Sequence, residues 1–267
     1  MTDAPPLPAK DAALQAEELT LDGLATRWAD AMHASPIGAE AMRGADRSAQ
    51  RLGVSGWSLM RHAGAAVAAV ARALAVERGR WGTGPILVLA GPGNNGGDGS
   101  VAAAFLARGP HAAASRAAAV ALIATEPRPT TPDAGRAWDE LGTLRNVERR
   151  HAGTALEVST LGHGVEHAAL IIDALLGTGV RGPLRDPVRS AVELIGRARD
   201  AGVPVLAVDT PTSVDLTSGD PSDPVVTADA TITFHRPKVG LLTRRGALHA
   251  GRVLVAPIGI PREIGRD

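Results

Sequence analysis

Short apolar runs, each of the length of one buried strand, alternate along most of this chain with segments whose apolar residues recur at helical spacing. Strands are predicted at 86–90, 118–124, 168–172, 203–208, 230–234 and 252–256. Helices are predicted at 39–52, 57–78, 101–108, 132–141 and 187–201. Strands that alternate with helices are typical of βαβ units, because parallel strands need a crossover connection. The sequence therefore predicts an α/β fold, with a mainly parallel sheet and helices on both faces.

The first forty residues are predicted to form an extension in front of one domain at 41–267. Prolines in residues 1–10 favour disorder there. The spacing of Leu14, Leu21, Leu24 and Trp28 favours one or two short amphipathic helices between residues 11 and 33. We therefore expect a helical and partly disordered N-terminal extension.

Composition and charge exclude several classes of function. The chain carries 28 basic and 28 acidic residues, so it has no electrostatic footprint for a nucleic acid or an anionic membrane surface. It contains no cysteine, which excludes disulfides, iron–sulfur clusters and a thiol nucleophile. No uninterrupted apolar run approaches the roughly 18 residues of a membrane span, and the N-terminus lacks the order of a signal peptide. We expect a cytoplasmic protein with neither nucleic acid nor membrane as a partner.

A glycine-rich stretch, GPGNNGGDG at residues 91–99, directly follows the strand predicted at 86–90. Glycines let backbone N–H groups at the start of a helix approach an anionic ligand closely. Asn94, Asn95 and Asp98 add side-chain oxygens. No Gly-Lys-Ser/Thr follows, so this is not a P-loop, and no acidic residue ends the next strand as in the dinucleotide fingerprint. The stretch predicts a ligand-binding loop of neither standard type.

Two carboxylates end neighbouring predicted strands. Asp173 follows residues 168–172, and Asp209 follows residues 203–208. The carboxyl ends of parallel strands meet at the edge of the sheet where ligands bind. Because burial at such a position shifts the pKa of a carboxyl, both residues are functional candidates. A role as a helix N-cap is the alternative for either one.

These features occur together in a recognisable order. The blocks GPGNNGGDG, IIDALLGTGVRGP, VLAVDTP and PKVGL resemble the N-terminal YjeF domain of the NAD(P)H-hydrate epimerase family, from about residue 41 to residue 261. The resemblance implies a Rossmann-like fold and epimerisation, R to S, at C6 of NADHX and NADPHX, the hydrated and damaged forms of the cofactors. It also implies one K⁺ ion per subunit and a homodimer.

Epimerisation at C6 needs a proton donor and acceptor and the stabilisation of a positively charged intermediate, and a partly buried carboxylate can do both. We expect Asp209 to be that group, with Asp98 and Lys238 as helpers. The resemblance further implies binding roles for individual residues. Asn95, Asp173 and Thr212 would ligate K⁺, which prefers oxygen ligands of this kind. The substrate would be bound by Asn94, Asn95, Gly96, Gly97, Asp98, Gly177, Thr178, Gly179, Val180, Arg181, Gly182, Pro183 and Asp209.

The third loop departs from the family pattern Asp-x-Pro-Ser-Gly, since the chain has Asp209-Thr210-Pro211-Thr212-Ser213. Thr212 keeps the hydroxyl. Ser213 adds a Cβ that would cost about 1–2 kcal/mol if this position needs a positive φ. The departure leaves open a non-catalytic module that binds a dinucleotide-like ligand or scaffolds a partner.

A further alternative is one half of a bifunctional epimerase/dehydratase, because in many family members a dehydratase domain follows the block that ends here at Pro261. Residues 163–167 also match the letters of the zinc motif H-x-x-E-H. Gly164 and the strand predicted directly afterwards argue against the α-helix that such a zinc site needs.

Overall fold

Seven parallel strands form one sheet in the computed structural model, which describes residues 5–15, 19–108, 118–177, 183–261 and 264. The sheet order is β3-β2-β1-β4-β5-β6-β7, and every pair of neighbouring strands is parallel. The strands are β1 Ile86–Ala90, β2 Ala118–Ile123, β3 Val147–Ala152, β4 Leu170–Ala174, β5 Val205–Val208, β6 Ala230–Phe234 and β7 Arg252–Ala256. The prediction of an α/β fold with a parallel sheet is confirmed.

Helices cover both faces of the sheet. They are α1 Leu21–Arg27, α2 Ala29–Met32, α3 Ala39–Arg51, α4 Gly56–Glu77, α5 Asn94–Arg108, α6 Pro132–Leu141, α7 Ala155–Leu161, α8 Val188–Asp200, α9 Val239–Leu242 and α10 Arg244–Ala250. Short 3-10 turns lie at Pro8–Lys10, Ala12–Gln15 and Val165–His167. In the last of these, Gly164 precedes the turn with a left-handed backbone, so His163 and His167 do not lie on one α-helical face.

Two apolar layers form the core. Helices α4 and α5 pack against each other and cover one face of the sheet, where they contact the core that contains Val88, Val120 and Ile172. Helix α8 covers the other face, where Leu89, Ile171 and Val205 point. Helix α4 is long and apolar enough to cross a membrane, but 89% of its apolar window is buried inside the fold. Its apolar composition is therefore explained by its place as the central core helix of this domain.

The sheet order places a crevice above β1. The chain moves from β1 to β2 on one side, whereas β4 lies on the other side of β1. Ligands of open α/β sheets bind at such a reversal, outside the carboxyl ends of the strands. Asp173 pairs with Leu89 on β1 and with Ala207 on β5, so it lies next to this reversal.

Strand β3 was not predicted, because its sequence is polar. Glu148, Arg149 and Arg150 are exposed, and β3 is an edge strand that pairs only with β2. A strand at an edge buries too little surface to need the apolar pattern by which the central strands were found.

The N-terminal extension packs on the domain. The expectation of disorder is wrong for residues 5–10: Pro8 is buried, and the Ala9 N–H donates to His62 Nδ1 at 3.0 Å. Leu14 and Trp28 join the core layer that contains α4, as the helical pattern predicted. Residues 1–4 lie outside the described part of the chain, and the domain boundary at residue 40 stays a prediction.

Candidate active site

A cleft of about 680 Å³ opens at the carboxyl edge of the sheet, above β1. This volume lies in the range of pockets that bind drug-sized ligands and cofactors. Its walls come from α3, α4, the start of α5, the loops after β2 and β4, and Asp209. The predicted site residues that line it are Asn94, Asn95, Asp98, Gly177 and Asp209.

The glycine-rich stretch is a loop only at residues 91–93 and is helical from Asn94 onward. Helix α5 begins at Asn94, seven residues before the predicted start at residue 101. Its glycines serve close packing: a Cβ at Gly96 would lie 1.9 Å from the Gly91 carbonyl oxygen, and one at Gly97 would lie 2.5 Å from Met60 Cε. Gly96 and Gly97 are therefore buried, and they allow the amino end of a 15-residue helix to face the cleft. Backbone N–H groups at such an end attract anions.

Asp209 is held by two donors that leave one of its oxygens without a partner in the described structure. Thr233 Oγ1 donates to Asp209 Oδ1 at 2.9 Å, and Lys238 Nζ lies 3.2 Å from the same atom. Asp209 also has a positive φ of 64°, which its N–H bond to the Ile232 carbonyl oxygen supports. The carboxylate is thereby fixed in orientation at the edge of the cleft.

Lys238 is fully buried behind Asp209, so it does not reach the cleft itself. Its ammonium also donates to Thr233 Oγ1 at 2.7 Å and to the Phe234 carbonyl oxygen at 2.9 Å. A buried ammonium with several acceptors and a carboxylate partner is a stable arrangement, because each donor is satisfied. The structure therefore brings Lys238 together with Asp209, as expected, but in a supporting position.

Asp98 lies on the first turns of α5 and lines the same cleft. Burial, and after it the charges of Asp209 and Asp46, hold the pKa of Asp98 well above its usual range. A carboxyl group in this environment favours its protonated form, which can donate a proton. Asp209 and Asp98 thus give the cleft one ion-paired carboxylate and one carboxyl that tends to stay protonated.

Sequence reasoning missed Asp46 as a site residue. It lies on α3 and lines the cleft between Met42 and Gln50. Burial and the charge of Asp209 raise the pKa of Asp46 to about 6, although Lys238 and Arg47 oppose the shift. One feature of the sequence could have identified Asp46: it follows Met42 by four residues, so both lie on one side of α3, the helix in which Ala45 and Ala49 are buried.

The buried carboxylate of Asp173 joins the loops after β4 and β5. Its oxygens accept hydrogen bonds from the Thr212 N–H at 2.8 Å, Thr212 Oγ1 at 2.7 Å and the Leu175 N–H at 3.2 Å. Burial raises the pKa of Asp173 to about 6, while these hydrogen bonds act in the opposite direction. Asp173 and Thr212 lie behind the cleft wall, and both are fully buried.

Asn95 completes the predicted K⁺ ligand set. Its Nδ2 is buried and has no hydrogen-bond partner in the parts of the chain that the structure describes. Its side chain lies against Gly177, where an added Cβ would be 3.4 Å from Asn95 Oδ1. Nδ2 is a hydrogen-bond donor and cannot ligate a cation, so Asn95 would contribute its Oδ1. With the carboxylate of Asp173 and the hydroxyl of Thr212, that oxygen would make an all-oxygen set of the kind that K⁺ prefers.

Ser213 has a φ of 76°, so this position does require the left-handed backbone that the family's glycine would provide. Its Oγ is buried and has no hydrogen-bond partner among the described residues. The side chain that replaces glycine therefore brings strain and an unsatisfied hydroxyl.

Not every residue that is predicted to bind the substrate lines the cleft. Asn94 lines the cleft and accepts a hydrogen bond from Thr131 Oγ1 at 2.7 Å, whereas the exposed Pro183 is not among the lining residues. The predicted residues Thr178, Gly179, Val180, Arg181 and Gly182 lie outside the described residues.

Comparison with known proteins identifies the family. Residues 56–240 match the family model described as the YjeF-related protein N-terminus. The chain belongs to this YjeF-related family. The match covers α4 to α9, and with them the glycine-rich start of α5, Asp173, Asp209 and Lys238.

Relatives of this YjeF-related chain carry enzyme names. It is 40% identical over 220 residues to the bifunctional NAD(P)H-hydrate repair enzyme of Pyrobaculum aerophilum, which covers 82% of this chain and 40% of that protein. It is 34% identical over 206 residues to the NAD(P)H-hydrate epimerase of Cenarchaeum symbiosum, which covers 77% of this chain and 86% of that one. The chain spans about 40% of the length of the first bifunctional relatives that it matches.

The fold is also found in a solved structure. The crystal structure of a yeast protein superimposes with a TM-score of 0.63 and 24% sequence identity, and it covers 78% of this chain and 83% of the yeast chain. At that identity the likeness supports the fold of the YjeF-related domain.

Proposed function

We propose that this protein is an NAD(P)H-hydrate epimerase, which interconverts the R and S epimers at C6 of NADHX and NADPHX. The observation that carries the proposal is the placement of Asp209 and Asp98 in one cleft, with Lys238 and Thr233 behind Asp209. The name and coverage of the relative from Cenarchaeum symbiosum support the same assignment. The protein is then a metabolite-repair isomerase.

Epimerisation at C6 requires the hydroxyl to leave one face of the ring and to return on the other. In a change from the role expected of Asp209, it is Asp98, whose pKa is raised, that gives its proton to the hydroxyl as the C–O bond breaks, and water departs with the bonding electrons. The ring is left as a nicotinamide-like cation, which the fixed carboxylate of Asp209 stabilises. Water then adds to the opposite face, the new C–O bond forms, and the proton returns to Asp98, so atoms and charge balance.

Backbone groups hold the rest of the dinucleotide. The amino end of α5, with Asn94 and Asn95, faces the cleft and attracts the diphosphate. The resemblance assigns contacts with phosphate and ribose to residues 177–183, of which residues 178–182 lie outside the described part of the chain. The chain has only four tryptophans, two phenylalanines and no tyrosine, so little of this recognition rests on aromatic stacking.

One K⁺ ion per subunit would be held by Asn95, Asp173 and Thr212. Its positive charge would tie the loops after β4 and β5 to the start of α5 and offset the buried carboxylate of Asp173. We further propose that the protein is a cytoplasmic homodimer, without nucleic-acid or membrane partners. A dehydratase, fused or separate, is the partner that the names of the bifunctional relatives suggest.

A non-catalytic binding or scaffold module is the second candidate function. The strained Ser213, with its buried and unsatisfied hydroxyl, is the observation that favours it, because it follows Thr212 in the proposed K⁺ site. Such a module would bind the hydrate without interconverting its epimers.

The test follows the R and S epimers of NADHX by HPLC, with and without K⁺, for the wild type and Asp209→Asn. Asp200→Asn, at the exposed end of α8, is the matched control. We expect Asp209→Asn to lose at least about 100-fold in rate while it still binds the hydrate in calorimetry, and the control to match the wild type. Full activity of Asp209→Asn overturns its assigned role. Binding without interconversion by the wild type establishes the second candidate.

A further inference from the structure

Helix α3 presents one face to the cleft, although it precedes the alternating strands and helices. Met42, Asp46 and Gln50 follow one another at four-residue spacing, and all three line the cleft. Ala45 and Ala49 of the same helix pack into the core. Just before α3, Ile37 forms a parallel bridge with Lys238, which ties this end of the helix to the residue behind Asp209. The helix therefore holds Asp46 at a fixed place in the wall of the site.

The carboxylate of Asp46 has no structural role of the usual kinds. It lies in the middle of a 13-residue helix, so it caps no helix end. It forms no hydrogen bond or ion pair within 4 Å to the residues that the structure describes, although it is only partly exposed. Asp98 on α5 likewise lacks a hydrogen-bond partner in the described part of the chain. Two carboxyl groups without protein partners thus face one cavity, together with Asp209.

Because Asp46, Asp98 and Asp209 share a confined cleft, the negative charge of Asp209 favours a proton on Asp46 or on Asp98. The carboxylate of Asp209 is itself paired with Thr233 and Lys238. The shared proton is therefore held by Asp98 or by Asp46. Of these two residues, only Asp98 lies on α5, next to the proposed substrate-binding residues Asn94 and Asn95.

Resting on the proposed epimerase activity, we propose that Asp46 is a positioning residue of that reaction: its negative charge keeps the proton on Asp98 until the departing hydroxyl takes it up. The charged groups that face Asp46 are Asp98, Asp209, Lys238 and the neighbouring Arg47, and Asp133 at the start of α6 lines the same cleft. The direction of the pKa shift of Asp98, which the charge of Asp46 raises, agrees with this role.

The experiment measures kcat and KM against pH for the wild type, Asp46→Asn, Asp46→Glu and the control Glu40→Gln. Glu40 is exposed on the same helix, so its variant removes an equal charge without touching the cleft. In Asp46→Asn, Asp98 should lose its proton at lower pH, so the alkaline limb of kcat should move down by about one pH unit. KM should change less than about twofold, Asp46→Glu should restore the limb, and Glu40→Gln should leave it unchanged.

A second readout does not depend on activity. Carbon-13 NMR of labelled aspartates follows the titration of the Asp98 carboxyl, whose signal is assigned because it disappears in Asp98→Asn. In Asp46→Asn this titration should also move to lower pH. An unmoved Asp98 titration, or an equal fall of kcat at every pH, overturns the inference. An inactive wild type overturns the proposed function instead, so the two failures are distinguishable.

Discussion

Single residues at the carboxyl edge of the sheet adopt backbone conformations that side chains rarely take. Among the described residues other than glycine, Asp209, Ser213 and His235 have positive φ values, and all three lie in loops that follow β5 or β6. Such strain concentrates at functional sites, where the surrounding structure holds it in place. Asp209 gains a fixed orientation from it, whereas nothing in the structure shows a gain for Ser213.

The Ser213→Gly variant should therefore be more stable than the wild type. Glycine removes both the strained Cβ and the unsatisfied hydroxyl, and we expect a gain of about 1 kcal/mol in the free energy of unfolding, measured in urea. The control is Ser48→Gly on the helical surface of α3, where glycine should destabilise by up to about 1 kcal/mol. An unchanged or lower stability of Ser213→Gly would contradict the proposed strain.

Lys238 should contribute to the fold as well as to the site, because its ammonium satisfies Thr233, the Phe234 carbonyl and Asp209 deep in the protein. Lys238→Met removes the cation that pairs with Asp209 and the donor to Thr233 Oγ1 and the Phe234 carbonyl, although Thr233 still donates to Asp209. It should lower the free energy of unfolding by about 3 kcal/mol. The chain has one other lysine, the exposed Lys10, so Lys10→Met is a matched control and should change stability by less than about 0.5 kcal/mol. Equal thermal melts of the two variants would refute this account of Lys238.

At the scale of the element, α5 is the feature on which the cleft depends. Gly96→Ala would force a Cβ against the Gly91 carbonyl, where only backbone could move. We expect it to destabilise the protein by about 3 kcal/mol and to weaken binding of the hydrate. A Cβ at Gly93 would meet nothing within 4 Å, so Gly93→Ala should leave the free energy of unfolding nearly unchanged. Similar unfolding curves for the two variants would show that α5 does not need this close approach.

The sequence predicts the elements that local pattern determines. The bounds of β1, α6, β6 and β7 agree with the apolar runs and the helical spacing. The start of α5 was wrong because glycine breaks helices in isolation, whereas here tertiary contact with Gly91 and Met60 selects it. Asp46 was missed because only the packed structure shows which face of α3 meets the cleft.

At the scale of the whole molecule, the cleft is acidic. Asp46, Asp98, Asp133 and Asp209 line it, and its described lining contains neither lysine nor arginine. This charge suits a cationic nicotinamide-like intermediate but opposes the phosphates of a dinucleotide. The phosphates of the proposed substrate would therefore depend on backbone N–H groups, which among the described residues the amino end of α5 offers to the cleft.

The same charge should make stability depend on pH. The folded pKa of Asp46, about 6, lies above its ordinary value, so the native state binds this proton more tightly than the unfolded chain does. Its ionisation then costs stability as pH rises from about 4 to about 6. Asp46→Asn should match the wild type near pH 4 and exceed it by about 3 kcal/mol at pH 7, since one pKa unit corresponds to about 1.4 kcal/mol. A difference that stays constant across this range would contradict the raised pKa.

The central claim is that this cleft interconverts the two hydrates, and the most direct measurement starts separate reactions from pure R and pure S NADHX. The wild-type protein should bring both to the same mixture of epimers, much faster than the hydrates interconvert without protein. If each epimer persists at its uncatalysed rate, although calorimetry shows that the protein binds it, the cleft is a binding site and the claim is wrong.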